Sequence, residues 1–185
     1  VHALITQGEK LMKSLVVYSS RTGNTQQVAR AIYEALPEPK EIFSAKEAPD
    51  PSAYDFLALG FWVDKGTANA ASARYMKSVT GKKIGLFGTL GAYPDSDHAR
   101  QCMEKARAMV QGNDILGEFL CQGKVDPDLI KMMETKMKDD PHHSMTPERR
   151  ARLEEAAKHP DEKDLADARA LFAELAQIAV QKASV

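Results

Sequence analysis

Apolar residues along this chain follow two rhythms that take turns. Short continuous runs come first: Leu15-Val16-Val17-Tyr18, Ile42-Phe43, Asp55–Phe61 and Lys83–Gly88. Between them lie stretches in which apolar residues recur every three to four positions. A continuous run is the mark of a strand buried on both faces, and the wider spacing marks an amphipathic helix. The pattern predicts strands at Ser14–Ser19, Glu41–Ser44, Asp55–Phe61, Lys83–Gly88 and Asp114–Cys121. Helices are predicted at about Asn24–Leu36 (Val28, Ala31, Ile32 and Ala35 on one face), at Thr67–Thr80, and over a segment carrying Ala99, Cys102, Met103, Ala106 and Met109/Val110. Pro37 and Pro39 end the first helix. Strand alternating with helix gives an α/β fold in three layers. A five-stranded parallel sheet is covered on both faces, and right-handed crossovers favour the order 2-1-3-4-5.

The chain runs on past the fifth strand. Gln122–His159 is rich in methionine and charge and predicts two short helices, about Asp126–Lys138 and Pro147–Lys158. Asp161–Ala183 then predicts a long helix whose stripe is Leu165, Ala168, Leu171, Phe172, Leu175, Ile178 and Ala179. This last helix is expected to close the sheet, which makes 122–159 a helical insertion before it within a single domain, 14–185. Residues 1–13 read as an N-terminal extension or tag, because Met12-Lys13-Ser14 resembles a start just before the first strand and no signal-peptide core precedes it.

Composition narrows the function classes. The 185 residues are 43% hydrophobic with a formal net charge of −1, which gives no bulk attraction to nucleic acid or to a membrane surface. No apolar run approaches the ~20 residues of a spanning helix. Two distant cysteines, Cys102 and Cys121, argue against a disulfide framework and fit a reducing cytoplasm. His142, His143 and His159 lack an i,i+4 partner or a cysteine, so no metal site is expected.

The chemistry is concentrated where the first strand ends. Ser19-Ser20-Arg21-Thr22-Gly23-Asn24-Thr25 supplies hydroxyls, an amide and one glycine at the start of a helix. The N–H groups and dipole there suit an anion. The loop lacks the Gly-Lys-Ser/Thr of a triphosphate loop and the G-x-G-x-x-G of a dinucleotide site. Two further loops open at the same sheet end. Phe61-Trp62-Val63-Asp64-Lys65-Gly66 carries the only tryptophan, and Thr89-Leu90-Gly91-Ala92-Tyr93 carries a tyrosine among small residues. A phosphate site flanked by two aromatic-bearing loops fits a flat ring joined to a phosphate by a short chain.

Ser20-Arg21-Thr22-Gly23-Asn24-Thr25 resembles the flavodoxin phosphate motif, Ser/Thr-x-Thr-Gly-Asn-Thr, at every specified position. The resemblance covers about Ser14–Cys121 and implies a flavodoxin-like fold with FMN bound noncovalently. It puts Ser20, Thr22, Asn24 and Thr25 on the phosphate, and the two aromatic-bearing loops on either side of the ring. The chain departs from the family in three ways: near-neutral charge, Arg21 and Lys65 in the binding loops, and the 122–159 segment. These features favour a flavodoxin-like subunit with a dedicated partner or substrate.

The functional expectation is an FMN-binding electron-transfer protein serving a redox partner protein, with no catalytic residue of its own. The alternative is an NAD(P)H-dependent reductase of a small molecule or quinone. Asp64, Lys65, Asp97 and His98 are the charged groups expected near the ring. The favoured reading of each is a solvated loop or first-turn residue, and of Glu148–Arg152 a solvated helix face. Met132, Met133, Met137 and Met145 mark 122–159 as packing or as a partner or homodimer surface. On this reading Asp126–Lys158 is removable without loss of FMN.

Overall fold

The computed structural model describes residues 11–137, 139–140 and 144–182. Residues 1–10 of the 1–13 extension, His142 and His143 lie outside them. The central sheet runs β1 (Ser14–Tyr18), β2 (Lys40–Ser44), β3 (Phe56–Asp64), β5 (Lys83–Leu90) and β6 (Asp114–Gln122), in the spatial order β2-β1-β3-β5-β6 and all parallel. Counting only parallel strands, this is the expected 2-1-3-4-5. Alternate side chains of each strand point to opposite faces. Leu57, Leu59 and Phe61 face one core with Met76, Val79, Met103 and Ala106. These belong to α2 (Ala70–Met76), the turn after it, and α3 (Asp97–Met109). Phe56 and Ala58 face the other core, with Val28 and Ile32 of α1 (Asn24–Ala35) and Phe172, Leu175 and Ala179 of α6 (Glu162–Gln181). Thus α6 closes the sheet beside α1, as its stripe predicts. Phe172 meets Phe87 of β5 edge-on, ring centroids 5.8 Å apart.

Three boundaries differ from the sequence reading, each for a local reason. β3 does not stop at Phe61 but continues through Trp62, Val63 and Asp64, where it pairs antiparallel with a two-residue strand, β4 (Thr67–Ala68). Lys65 (φ 50°) and Gly66 (φ 77°) form the tip. Positive φ at both central residues is what a two-residue hairpin turn of type I′ requires. The next helix therefore begins only at Ala70, after buried Asn69, whose Oδ1 accepts from Trp62 N at 3.2 Å. β5 likewise extends through Thr89 and Leu90 because both keep their pairing with β6.

Met12 and Lys13 belong to the folded unit. Met12 packs on the α1/α6 core, and Lys13 N donates to Asp55 Oδ2 at 2.9 Å while its ammonium pairs with Glu41 at 2.7 Å. After β6 the chain forms α4 (Pro127–Thr135) and α5 (Pro147–Ala156) before α6. Both short helices start with proline behind an oxygen-bearing cap, Asp126 and Thr146 respectively, an arrangement suited to a helix N-terminus.

Candidate functional site

The carboxyl ends of β1, β3 and β5 meet at an open cleft. Such a sheet binds its ligand where strand order reverses, here between β1 and β3. One wall is the loop Ser20–Thr25. Gly23, with φ 92°, is the residue before α1 and adopts a left-handed conformation that side chains disfavour. The first intrahelical bond runs from Gln27 N to Gly23 O at 3.1 Å. The N–H groups of Asn24, Thr25 and Gln26 precede it and so lack a carbonyl one turn back.

The side chains of this loop are wired in a particular sense. Ser20 Oγ accepts from Gly23 N (3.1 Å), and Thr22 Oγ1 accepts from Asn24 Nδ2 (3.0 Å). Each hydroxyl spends acceptor capacity on the loop and keeps its proton to donate outward. Thr25, only 1% exposed, shares a 2.8 Å hydrogen bond with Thr89 Oγ1, so one proton of that pair is spent and one stays available. Donors facing an opening at a helix N-terminus are the set a phosphate ester needs.

Of the residues singled out in the sequence, the structure brings Ser20, Arg21, Thr22, Asn24, Thr25, Trp62, Val63, Thr89, Leu90 and Gly91 together around this cleft. Others lie elsewhere. Phe61 is fully buried in the α2/α3 core, because it alternates with Trp62 along β3. Asp64, Lys65 and Gly66 sit at the hairpin end, where Lys105 Nζ donates to Gly66 O at 3.2 Å. Ala92 and Tyr93 lie beyond the cleft lining, and Tyr93 is 42% exposed. Asn24 lines the cleft, yet both its amide hydrogens are committed, one to Thr22 and one to Lys124 O at 2.9 Å. Its main-chain N–H, rather than its carboxamide, is left for a ligand. His98 is exposed on α3, with Nε2 3.6 Å from Cys102 Sγ.

A fourth wall was missed by sequence reasoning. Gly123, Lys124, Val125, Asp126 and Leu129 complete the cleft. This strap leaves β6 and crosses to the anion loop. Gly123 N donates to Leu90 O (2.9 Å), Lys124 N donates to His159 O (3.0 Å), and Arg21 pairs with Asp126 at 3.0 Å. Two glycines make the fit possible. A Cβ on Gly123 would lie 2.7 Å from Asn24 Nδ2, and one on Gly91 would lie 2.5 Å from Val125 Cγ2. The start of 122–159 therefore lines the cleft, against the expectation that Asp126–Lys158 contains no part of a ligand loop. Gly123, placed directly behind a strand's carboxyl end, was the one sequence signal for this.

The far end of the strap rests on a charged knot. His159 Nδ1 is 2.5 Å from Asp164 Oδ2 and its Nε2 3.4 Å from Glu155 Oε1. Asp164 and Asp161 also cap α6 reciprocally, each side chain accepting from the other's N–H at 2.9 Å. The Asp164 hydrogen bond, against the opposing effect of burial, raises the His159 pKa above its ordinary value. Cys121, deep beneath the strap, has its thiol pKa pushed up by burial and by Asp164 and Asp161, so it stays neutral.

A parallel sheet with a hydroxyl-lined anion loop at its strand-order reversal defines a class of α/β cofactor-binding proteins, and the comparisons narrow it. The flavodoxin domain model matches residues 15–173. The flavodoxin-like domain-containing protein BilS of Clostridioides difficile (strain CD3) is 37% identical over 162 residues, covering 85% of this chain and 92% of that one. The chain belongs to the flavodoxin family. Solved structures agree on the fold. The oxidised flavodoxin 2 of Bacillus cereus superposes with a TM-score of 0.55 at 17% identity, covering 89% of this chain and 98% of that one. The flavodoxin, WrbA-like protein of Agrobacterium tumefaciens gives 0.58 at 14% identity, covering 92% and 99%. Among the described residues, no helix is long and apolar enough to cross a membrane.

Proposed function

We propose that this protein holds FMN in the cleft and passes electrons between redox partners. The observation that carries the reading is the sense of the hydrogen bonds in Ser20–Thr25. Ser20 and Thr22 accept within the loop and so donate outward, at a helix N-terminus whose first N–H groups have no intrahelical acceptor. FMN, when bound, supplies reversible one- and two-electron transfer. The chain's own residues do the rest. Ser20, Thr22 and the N–H groups of Asn24 and Thr25 hold the phosphate. Trp62, half-buried beside the opening, offers a flat surface to the ring. Val63, Leu90 and Val125 keep water from one side of it. Arg21 is neutralised by Asp126, so that carboxylate does not oppose the phosphate.

The carrier role is supported by the cleft's lining, in which the charged pair Arg21 and Asp126 is engaged with itself. The test is a visible spectrum of the purified protein followed by NADH or NADPH without air. Flavin absorbance that persists on adding either nicotinamide supports a carrier reduced by another protein. Rapid bleaching supports the reductase alternative. A protein that takes up no flavin on incubation with FMN overturns both.

A further inference from the structure

The strap that forms the fourth wall is held from behind by a residue outside the cleft. Lys124 N donates to His159 O at 3.0 Å, and Lys124 O accepts from Asn24 Nδ2 at 2.9 Å. The same Asn24 amide donates to Thr22 Oγ1 at 3.0 Å. Hydrogen bonds in series thus join His159 to a hydroxyl of the anion loop. Thr22, Asn24 and Lys124 line the cleft, and His159 does not.

His159 sits in the turn between α5 and α6, with its side chain 20% exposed. Both ring nitrogens face carboxylates. Nδ1 lies 2.5 Å from Asp164 Oδ2 on α6, and Nε2 lies 3.4 Å from Glu155 Oε1 on α5. A neutral imidazole has one N–H and can donate to only one of these oxygens, whereas the imidazolium donates to both. The other charged groups here are Asp161, beside Asp164 at the start of α6, and Lys158, which pairs with Glu155 Oε2 at 2.6 Å. From β6 comes the buried Cys121 thiol, kept neutral. The strap meets His159 through the Lys124 main-chain N–H, and Lys124 itself is exposed. Three carboxylates therefore face one ammonium, and the imidazolium supplies the second positive charge.

We infer that His159 is a positioning residue for the phosphate site: its imidazolium ties α5 to α6 and seats the strap on Asn24, and loss of its proton slackens the strap and weakens the hold on phosphate. The inference rests on Ser20–Thr25 holding the phosphate of FMN. It gives that site a pH dependence set by a group outside it. The Asp164 hydrogen bond raises the His159 pKa, so the tie is complete below the ordinary value of about 6.5 and is lost as pH rises through the higher folded value.

The test titrates flavin-free protein with FMN and with riboflavin from pH 6 to 9. In the unaltered protein the preference for FMN should fall about tenfold across this range, the value of one hydrogen bond to a charged group. H159Q should lack the fall, and the phosphate's own ionisation, common to both proteins, cancels in the comparison. D164N keeps an acceptor for Asp161 N but removes the charge, so its fall should come at lower pH. In case the variants fold poorly, NMR of the unaltered flavin-free protein gives a second reading. The Lys124 main-chain and Asn24 side-chain amide signals should titrate with the His159 ring at one midpoint. No preference for FMN over riboflavin at pH 6 would refute the phosphate site and the inference with it. A preference constant with pH, an equal fall in H159Q, an unmoved fall in D164N, or Lys124 and Asn24 signals indifferent to His159 would leave the phosphate site standing and overturn the positioning role.

Discussion

Replacing Gly123 by alanine probes how tightly the strap is seated on the anion loop. The added Cβ would lie 2.7 Å from Asn24 Nδ2, 2.9 Å from its Cγ and 3.0 Å from its Cβ, where ordinary contact begins at 3.4 Å. The strap or Asn24 must move by several tenths of an ångström, which strains the 2.9 Å bond from Asn24 to Lys124 O. Overpacking of this kind costs about 1–3 kcal/mol. Asn24→Ala alone loses two hydrogen bonds, roughly 1–3 kcal/mol in total. The two substitutions do not act independently, because removing the carboxamide clears most of the space that the new Cβ needs. The double variant should fall short of the summed losses by about 1 kcal/mol or more. Urea unfolding of the four proteins, followed by circular dichroism, gives this coupling directly, and FMN titrations of the same set should show G123A binding roughly tenfold more weakly. Additivity within about 0.5 kcal/mol would mean that the strap does not rest on Asn24, and the fourth wall would lose its support.

Deleting Asp126–Lys158 behind a short Gly/Ser bridge should weaken FMN binding by at least about tenfold, since it removes Asp126 and Leu129 from the cleft and the partner of Arg21; equilibrium dialysis showing unchanged affinity would refute this. Trp62 emission should be strongly quenched when FMN saturates the flavin-free protein, because its side chain borders the cleft; undiminished emission would place the ring elsewhere. The His159 pKa is raised by Asp164, so its contribution to stability is complete below the ordinary histidine value of about 6.5 and is lost as pH rises through the higher folded value. Unfolding free energies measured from pH 5.5 to 9 should decline more steeply in the unaltered protein than in H159Q, and parallel profiles would contradict the assignment.

Much of this architecture could be read from the chain. The strands announced themselves as continuous apolar runs because both their faces are covered, and α6 did so because its stripe packs on Phe87 and the β5–β6 surface. The loop Ser20–Thr25 was legible as a candidate anion site because its hydroxyl, amide and glycine residue types carry that chemistry themselves. What escaped depended on contacts distant in sequence. Trp62–Asp64 read as loop, yet a Lys65–Gly66 turn folds β4 back on them. Phe61 and Trp62 fell in the same candidate loop, and only the alternation along an extended β3 sends Phe61 into the core. By sequence Asn24 offered its carboxamide, but Lys124, one hundred residues away, takes that amide and leaves the main-chain N–H at the opening. The strap was hidden for the same reason. Nothing in Gly123–Asp126 signals an anion site except a glycine whose purpose appears only when Asn24 is set against it.

The central claim is that Ser20–Thr25 holds the phosphate of FMN. Its most direct test is a paired titration of flavin-free protein with FMN and with riboflavin, in the unaltered chain and in S20A/T22V. Two hydrogen bonds at ~1–1.5 kcal/mol each should make the variant bind FMN about tenfold to a hundredfold more weakly while riboflavin binding stays nearly constant. Equal losses for both flavins, or no preference for FMN in the unaltered protein, would show that no phosphate lies in this loop.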